Sequence, residues 1–476
     1  MIETGSLVVG GGPAGLAPLI AASRSDALAG LLSTGLVVAD QERAIGAGRI
    51  GRYLINSDSS AETFLSCVVG NPEPRLAALV DHPTARAIAP YGRGAVPLAL
   101  VGEFLAVLGD RLASIIEAAP QGRVMTGRKA LSTRRMPDGR WCTRLRCTTT
   151  GVDTEIVSRA VLLATGAHQP QMRLQDEPVA GEALLPRYAG TLMQSDRVLT
   201  ADGMAEVEAR LATVPNPRIV VVGGSTSAVS CVRVLLAALG SRLQNGALTL
   251  MHRQALSVFY PSADAARADG YDAFGPDDVC PVSGFVFRFG GLRFDSRTLV
   301  QGALRIGGAE PDARLALHRL DDPAEGRRLL DEADLVVSAL GYRPHALPVF
   351  DVDGLPMRLR AHEPAGALVG GRCGVLDENG REIPGLFGIG LAAGFRPNEA
   401  MGGEPSFKGQ VNGLWLWQND VGALIADRML KRVRALAPAA PSRAGHLSYA
   451  VPLAADLPQV ARAAYPADQA SHHTAA

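Results

Sequence analysis

At 476 residues the chain is longer than one compact core accommodates, and its length predicts two to three domains. Hydrophobic residues make up 47% and charged residues 20%, and Lys+Arg and Asp+Glu both number 47, so no global field steers the protein toward nucleic acid or an acidic membrane surface. The six cysteines are scattered and no secretory leader precedes them, which predicts free thiols in a reducing, cytoplasmic compartment.

The pattern opens with a strand at 7–9, a glycine turn, a helix at 13–23 and a strand at 36–39. The apolar stretch 95–116 is broken by Glu103, Asp110 and Arg111, so it reads as an amphipathic helix over 98–118 and not as a bilayer span. Three short strands follow at 123–126, 141–149 and 154–164, with the turn signal Pro137-Asp138-Gly139 between the first two. The opening logic then repeats: a strand at 218–222 ends on Gly223-Gly224 and leads to a helix at 227–239 and a strand at 247–251. Further strands are expected at 335–339 and 385–390, then a long helix at 408–434. Beyond residue 437 lies an Ala/Pro-rich tail, read as disordered, whose His472-His473 pair is assigned to solvent and not to a metal.

Gly10-Gly11-Gly12-Pro13-Ala14-Gly15 fits G-x-G-x-x-G directly after an apolar strand and at the opening of a helix. Gly10 permits the tight turn, Gly12 lets backbone approach a pyrophosphate, and Gly15 lets helix pack on strand. The helix N-terminus offers N–H groups to phosphate. Asp40 ends the next strand, where a carboxylate accepts hydrogen bonds from ribose, and Gln41 follows it.

Gly223-Gly224-Ser225-Thr226-Ser227 repeats the context, with Ser225 where a second glycine is usual and three hydroxyls able to donate to phosphate. The strand after it ends in His252-Arg253. Arg253 suits a 2′-phosphate and predicts NADPH in preference to NADH.

Two features look like redox or cofactor motifs and are set aside. Cys142 and Cys147 have C-x-x-x-x-C spacing but lie in a predicted strand, pointing oppositely and ~17 Å apart at ~3.4 Å per residue. A disulfide needs Cα atoms within ~7 Å. Trp415-Leu416-Trp417 resembles part of a flavin-halogenase motif, but its continuation is helical and polar, so packing accounts for it.

Val161-Leu162-Leu163-Ala164-Thr165-Gly166 resembles the Ala-Thr-Gly segment of flavoproteins with two dinucleotide domains, the superfamily of glutathione reductase and the flavin-containing monooxygenases. Asp334 to Pro344, with Ala339-Leu340-Gly341-Tyr342, is similar to the D-x-x-x-(L/F)-A-T-G-Y segment of the ornithine and lysine N-hydroxylases. Gly385 to Leu391 resembles the closing strand of FAD domains, with Leu391 where an Asp usually meets the ribityl chain. The F-x-G-x-x-x-H signature of Baeyer–Villiger enzymes is absent.

The resemblance implies an α/β fold of two Rossmann-like dinucleotide-binding domains, an FAD domain with an inserted NADPH domain. The expected boundaries are 1–170 and 334–436 for the two parts of the FAD domain, 171–333 for the NADPH domain and 437–476 for the tail. FAD would contact Gly10, Gly12, Pro13, Ala14, Gly15, Asp40, Gln41, Val124 (opposite adenine), Gly166 and Gly390; NADPH would contact Gly223, Ser225, Thr226, Ser227 and Arg253. The implied activity is a monooxygenase that inserts one oxygen atom of O2 into a small-molecule nucleophile through a C4a-hydroperoxyflavin, with amine or amino-acid N-hydroxylation as one form. An NAD(P)H-dependent reductase and a non-catalytic redox sensor remain as alternatives, and the fold alone does not separate them. No catalytic side chain and no metal site is assigned. Arg49, Arg52 and Asn56 in the loop after the ribose acid, and Arg396 after the closing strand, are the candidate substrate residues. A homo-oligomer is compatible with the sequence; no nucleic acid or membrane partner is expected.

Overall fold

The computed structural model describes residues 1–363 and 366–437. Two sheets dominate. In the first, Ile2–Val9 lies between Leu36–Ala39 and Asp153–Leu163, parallel to both, and Gly122–Met125 extends the sheet beyond Leu36–Ala39. Leu7, Val8, Leu36 and Val38 are wholly buried, as expected of parallel strands covered on both faces. The helix Pro13–Ala22 packs against Gly422–Ala435, and Leu98–Glu117 turns Val101, Phe104, Leu108 and Leu112 into the core.

Asp153–Leu163 is long enough to serve two partners on its other edge. Trp141–Cys147 runs antiparallel to its start, and Glu382–Gly388 runs parallel to its end. Trp141 is fully buried, and its indole N–H donates to the Pro384 carbonyl at 3.1 Å, tying the antiparallel ribbon to the closing strand.

The second sheet has five parallel strands in the order Leu192–Gln194, Leu335–Ser338, Ile219–Val222, Leu248–His252 and Leu315–Arg319. Every residue of Ile219–Val222 is buried. At about 1.5–3 kcal/mol per fully buried Val or Ile side chain, this short strand anchors the turn that follows it. The chain crosses between the sheets through a two-stranded ribbon, Ala167–His168 with Arg343–Pro344, where the His168 and His345 rings stack at 4.1 Å.

The structure departs from the sequence reading in three places. Leu335–Ser338, expected to open the second part of the FAD unit, pairs with Ile219–Val222 and Leu192–Gln194 in the second sheet. An apolar run carries no information about which sheet it joins. The strand Arg128–Arg135 was not expected; its charged residues hide the alternation, and Pro137-Asp138-Gly139 turns it back on Trp141–Cys147. The closing helix starts later than 408: a short turn, Leu414–Leu416, and a π-helical turn, Trp417–Val421, precede Gly422–Ala435. Trp415 and Trp417 fall in this helical region. The expected tail, including His472 and His473, lies outside the described residues beyond 437.

Candidate functional site: two glycine turns

Each glycine of the first turn meets a different constraint. Gly10 has φ +102°, and a Cβ there would sit 2.2 Å from the Ala164 carbonyl oxygen. A Cβ on Gly15 would lie 1.8 Å from the Gly10 oxygen, so that glycine is required for helix–strand contact. Gly12 differs. Its φ is −72°, any residue could adopt it, and the nearest atom to a built Cβ is the Gly48 Cα at 3.7 Å. The protein itself does not demand glycine there, which is what close approach of a pyrophosphate to the backbone requires.

The N-terminus of Pro13–Ala22 receives no side-chain cap, in contrast to helices capped by Ser60, Thr200, Ser262 and Asp322. Its first-turn N–H groups are thereby left to a ligand. Asp40 accepts from the Gly11 N–H at 2.5 Å and the Glu42 N–H at 2.7 Å, while burial pushes its carboxyl up. These residues fit a flavin dinucleotide. Gln41 is exposed beside Asp40, and Val124 pairs with Val38 on the adjoining strand. Gly166 has φ +76° and accepts from the His345 N–H. A Cβ on Gly390 would stand 3.3 Å from the Ala14 Cβ, so the closing strand ends against the same helix. Leu391 is 39% exposed beside it.

The second turn has the same construction. Gly223 has φ +144° and packs on Ala339 and Ala228. The helix Thr226–Leu239 opens at Ser225, again without a side-chain cap, with Thr226 and Ser227 in its first turn. His252 is buried at the end of the neighbouring strand, while Arg253 is 56% exposed and pairs with Glu177 at 2.8 Å. Burial raises the Glu177 carboxyl, but Arg253 and Arg173 outweigh it and hold the carboxyl below its ordinary value.

The candidate substrate residues are not gathered at one place. Arg49 is committed to Asp196 at 3.0 Å, and the hydroxyls of Tyr53 and Tyr342 donate to the same carboxylate at 2.6 and 3.1 Å. Burial and this acceptor push both phenols far up. The cluster ties the first unit to the second. Asn56 donates to Asp295 at 2.7 Å, and Asp295 also holds Arg233 at 2.5 Å. Arg52 sits in the open near Glu42, and Arg396 is exposed.

The loop after Asp40, singled out in the sequence for Arg49, Arg52 and Asn56, also packs on the first turn, a contact the sequence did not reveal. The Gly46 N–H donates to the Gly11 carbonyl at 2.8 Å, and Gly48 lies over Gly12. Farther along the same segment, Asp58 lies near Thr226 and Arg293. Asp58 reaches solvent, yet protein surrounds it closely enough that desolvation pushes its carboxyl up to about 6, against the opposing pull of Arg293 and Thr226. No signal in the sequence separates Asp58 from the serines around it.

No protein-family model matches the chain. It is 31% identical over 444 residues, covering 91% of its length and 99% of the relative's, to CMP-5′-(3-aminopropyl)phosphonate hydroxylase of Streptomyces rubellomurinus. Among solved structures it is similar to the FAD-bound cadaverine monooxygenase of desferrioxamine biosynthesis from Erwinia amylovora, at 12% identity over 96% of this chain and 100% of that one, TM-score 0.55. It is similar also to an ornithine N-hydroxylase from a Kutzneria species with reduced FAD, NADP+ and L-ornithine, at 15% identity over 90% and 100% of the two chains, TM-score 0.51. With a hydroxylase as its relative, the chain is an oxidoreductase of the flavin monooxygenase type, carrying two glycine turns with bare helix N-termini. The chain belongs to the family of the CMP-5′-(3-aminopropyl)phosphonate hydroxylase.

Proposed function

We propose that the protein hydroxylates the nitrogen of a primary amine carried on a small phosphonate or nucleotide-linked molecule. The observation that carries this reading is 31% identity spanning 99% of a hydroxylase named for an aminopropylphosphonate attached to CMP. Gly10, Gly12, Gly15 and Asp40 would hold FAD, with Pro13, Ala14, Gln41, Val124, Gly166 and Gly390 around it. Gly223, Ser225, Thr226 and Ser227 would hold the NADPH pyrophosphate, and Arg253 its 2′-phosphate.

The flavin, when bound, supplies the oxygen-activating chemistry. The chain's own residues bind both nucleotides by backbone N–H groups, and the Asp196 cluster keeps the two units in register. Six free cysteines fit a reducing compartment, and we assign the enzyme to the cytoplasm. No helix among the described residues is long and apolar enough to cross a membrane.

The test incubates the FAD-loaded enzyme with NADPH, O2 and CMP-5′-(3-aminopropyl)phosphonate, with cadaverine and ornithine alongside, and follows hydroxylamine and peroxide. Stopped-flow mixing of the reduced enzyme with oxygen should show a species distinct from both reduced and oxidised flavin. Direct return to oxidised flavin, with all consumed oxygen recovered as peroxide for every amine, refutes the reading.

A further inference from the structure

We propose that Glu404 is a positioning residue for electron transfer from NADPH to the flavin. It latches the loop that follows the closing strand of the first unit onto the unit that carries the second glycine turn. This rests on the reading of the two nucleotide sites and makes no use of the amine.

The loop leaves and rejoins the first unit beside the first glycine turn. The strand Glu382–Gly388 leads to Gly390, which abuts Ala14, and the chain then turns sharply, with φ +63° at Ala392 and +88° at Gly394. An alanine in the left-handed region persists where its surroundings hold it there. The Ala392 N–H donates to Asn412 Oδ1 at 3.2 Å, and the Val411 N–H donates to the Phe395 carbonyl at 3.4 Å. The two ends of the loop, at Phe395 and Val411, are thereby tied together at the flavin end of the closing strand.

The tip of the loop is held by the other unit. Glu404 is 4% exposed, and its Oε1 accepts from the Phe289 N–H at 2.9 Å and the Gly290 N–H at 2.7 Å, while its Oε2 accepts from Phe289 at 3.0 Å. Three bonds flank this grip. The Ser406 N–H donates to the Asp277 carbonyl at 2.9 Å, Arg288 Nη1 to the Met401 carbonyl at 2.7 Å, and the Gly403 N–H to Cys280 Sγ at 3.1 Å. Gly402 and Gly403 have φ +73° and +126°, and a Cβ on them would stand 2.7 Å from the Arg288 guanidinium and 2.6 Å from the Phe289 ring. The segment they meet reaches both cores. Phe287 packs with the core that contains Val221 and Leu250, whereas Phe289 packs with the core of the first sheet, its ring 6.0 Å from Phe407.

A carboxylate withdrawn from water is costly unless its oxygens are hydrogen-bonded. Here the donors are backbone groups of the opposite unit, so Glu404 is satisfied in one relative placement of the two units. The crossing ribbon leaves that placement open. Tyr342 directly precedes Arg343 of the ribbon, and the Asp196 N–H donates to Gln169 Oε1 at 3.1 Å, so the Asp196 cluster and the ribbon act together as one hinge. Units joined at a hinge move relative to one another by default. Asn56 adds a tie through Asp295, and the Glu404 latch adds the one that starts from the end of the closing strand. The step that depends on this placement is NADPH + FAD + H+ → NADP+ + FADH2, in which a hydride carries both electrons. It requires the donor and acceptor atoms to be held roughly 3–3.5 Å apart.

The experiment follows anaerobic reduction of the FAD-loaded enzyme by NADPH in stopped flow, a step that needs neither oxygen nor an amine. In Glu404→Ala the limiting rate per bound flavin should fall by about ten- to a hundredfold. FAD affinity and the half-saturating NADPH concentration should stay within about twofold of the wild type, because the latch lies outside both nucleotide turns. Glu404→Gln keeps an oxygen that can accept from both amides and should recover part of the lost rate. Reduction of Glu404→Ala at the wild-type rate overturns the proposal and leaves Glu404 a stabilising contact. Should Glu404→Ala not load FAD, hydrogen exchange of the wild type with NADP+ decides. The Phe289 and Gly290 amides should then exchange at least about a hundredfold more slowly than unprotected peptide, and exchange at the unprotected rate overturns the latch. A reduction rate that depends on Glu404, in an enzyme that makes hydroxylamine from no amine, would keep the latch and sink the amine-hydroxylating reading.

Discussion

A Gly12→Val substitution adds an isopropyl group where the only protein atom near the new Cβ is the Gly48 Cα at 3.7 Å. Because φ at this residue is −72°, valine brings no backbone strain, and the apoprotein should keep its stability within about 0.5 kcal/mol. The branched side chain instead fills the space a pyrophosphate needs. Losing one charge-assisted hydrogen bond from the helix N-terminus costs about 1.5–3 kcal/mol, which raises the FAD Kd roughly 10- to 150-fold. The stabilisation that saturating FAD contributes to the wild type shrinks accordingly. Gly15→Ala makes the contrast: its Cβ would meet the Gly10 oxygen at 1.8 Å, so it should destabilise the apoprotein as well. The assay pairs FAD titration by flavin fluorescence with urea unfolding of the apoproteins. Wild-type FAD affinity in Gly12→Val, or an apoprotein destabilised as much as by Gly15→Ala, refutes the assignment of this turn to the flavin.

Arg253→Ala should lower the NADPH-to-NADH ratio of kcat/KM by about tenfold, the low end for a charge-assisted contact, because Arg253 is 56% exposed and shared with Glu177; an unchanged ratio removes it from the 2′-phosphate site. Cys142→Ser with Cys147→Ser should leave flavin reduction by NADPH intact, since both thiols are free on one strand; loss of reduction in an FAD-loaded variant would reinstate disulfide chemistry. Asp196→Ala removes the acceptor shared by Tyr53, Tyr342 and Arg49 and should cost about 1.5–3 kcal/mol in urea unfolding; a loss below about 0.5 kcal/mol would mean the cluster does not hold the units together.

Some of this molecule was legible without coordinates. The strand–turn–helix at Gly10–Gly15 and its repeat at Gly223–Ser227 were readable because a backbone passing close to phosphate admits few residues, and those residues are adjacent in the chain. Leu36–Ala39 and Leu98–Glu117 followed from local apolar patterning, which burial on the sheet enforces. What required the tertiary structure was everything decided by partners distant in sequence. Leu335–Ser338 could not be assigned to a sheet, since an apolar strand fits either until its neighbours are known. Arg49 looked available for substrate until Asp196, 147 residues away, was found to hold it. Nor does any local signal bring the loop at Gly46 and Gly48 onto the first turn, where the Gly46 N–H donates to the Gly11 carbonyl and Gly48 lies over Gly12.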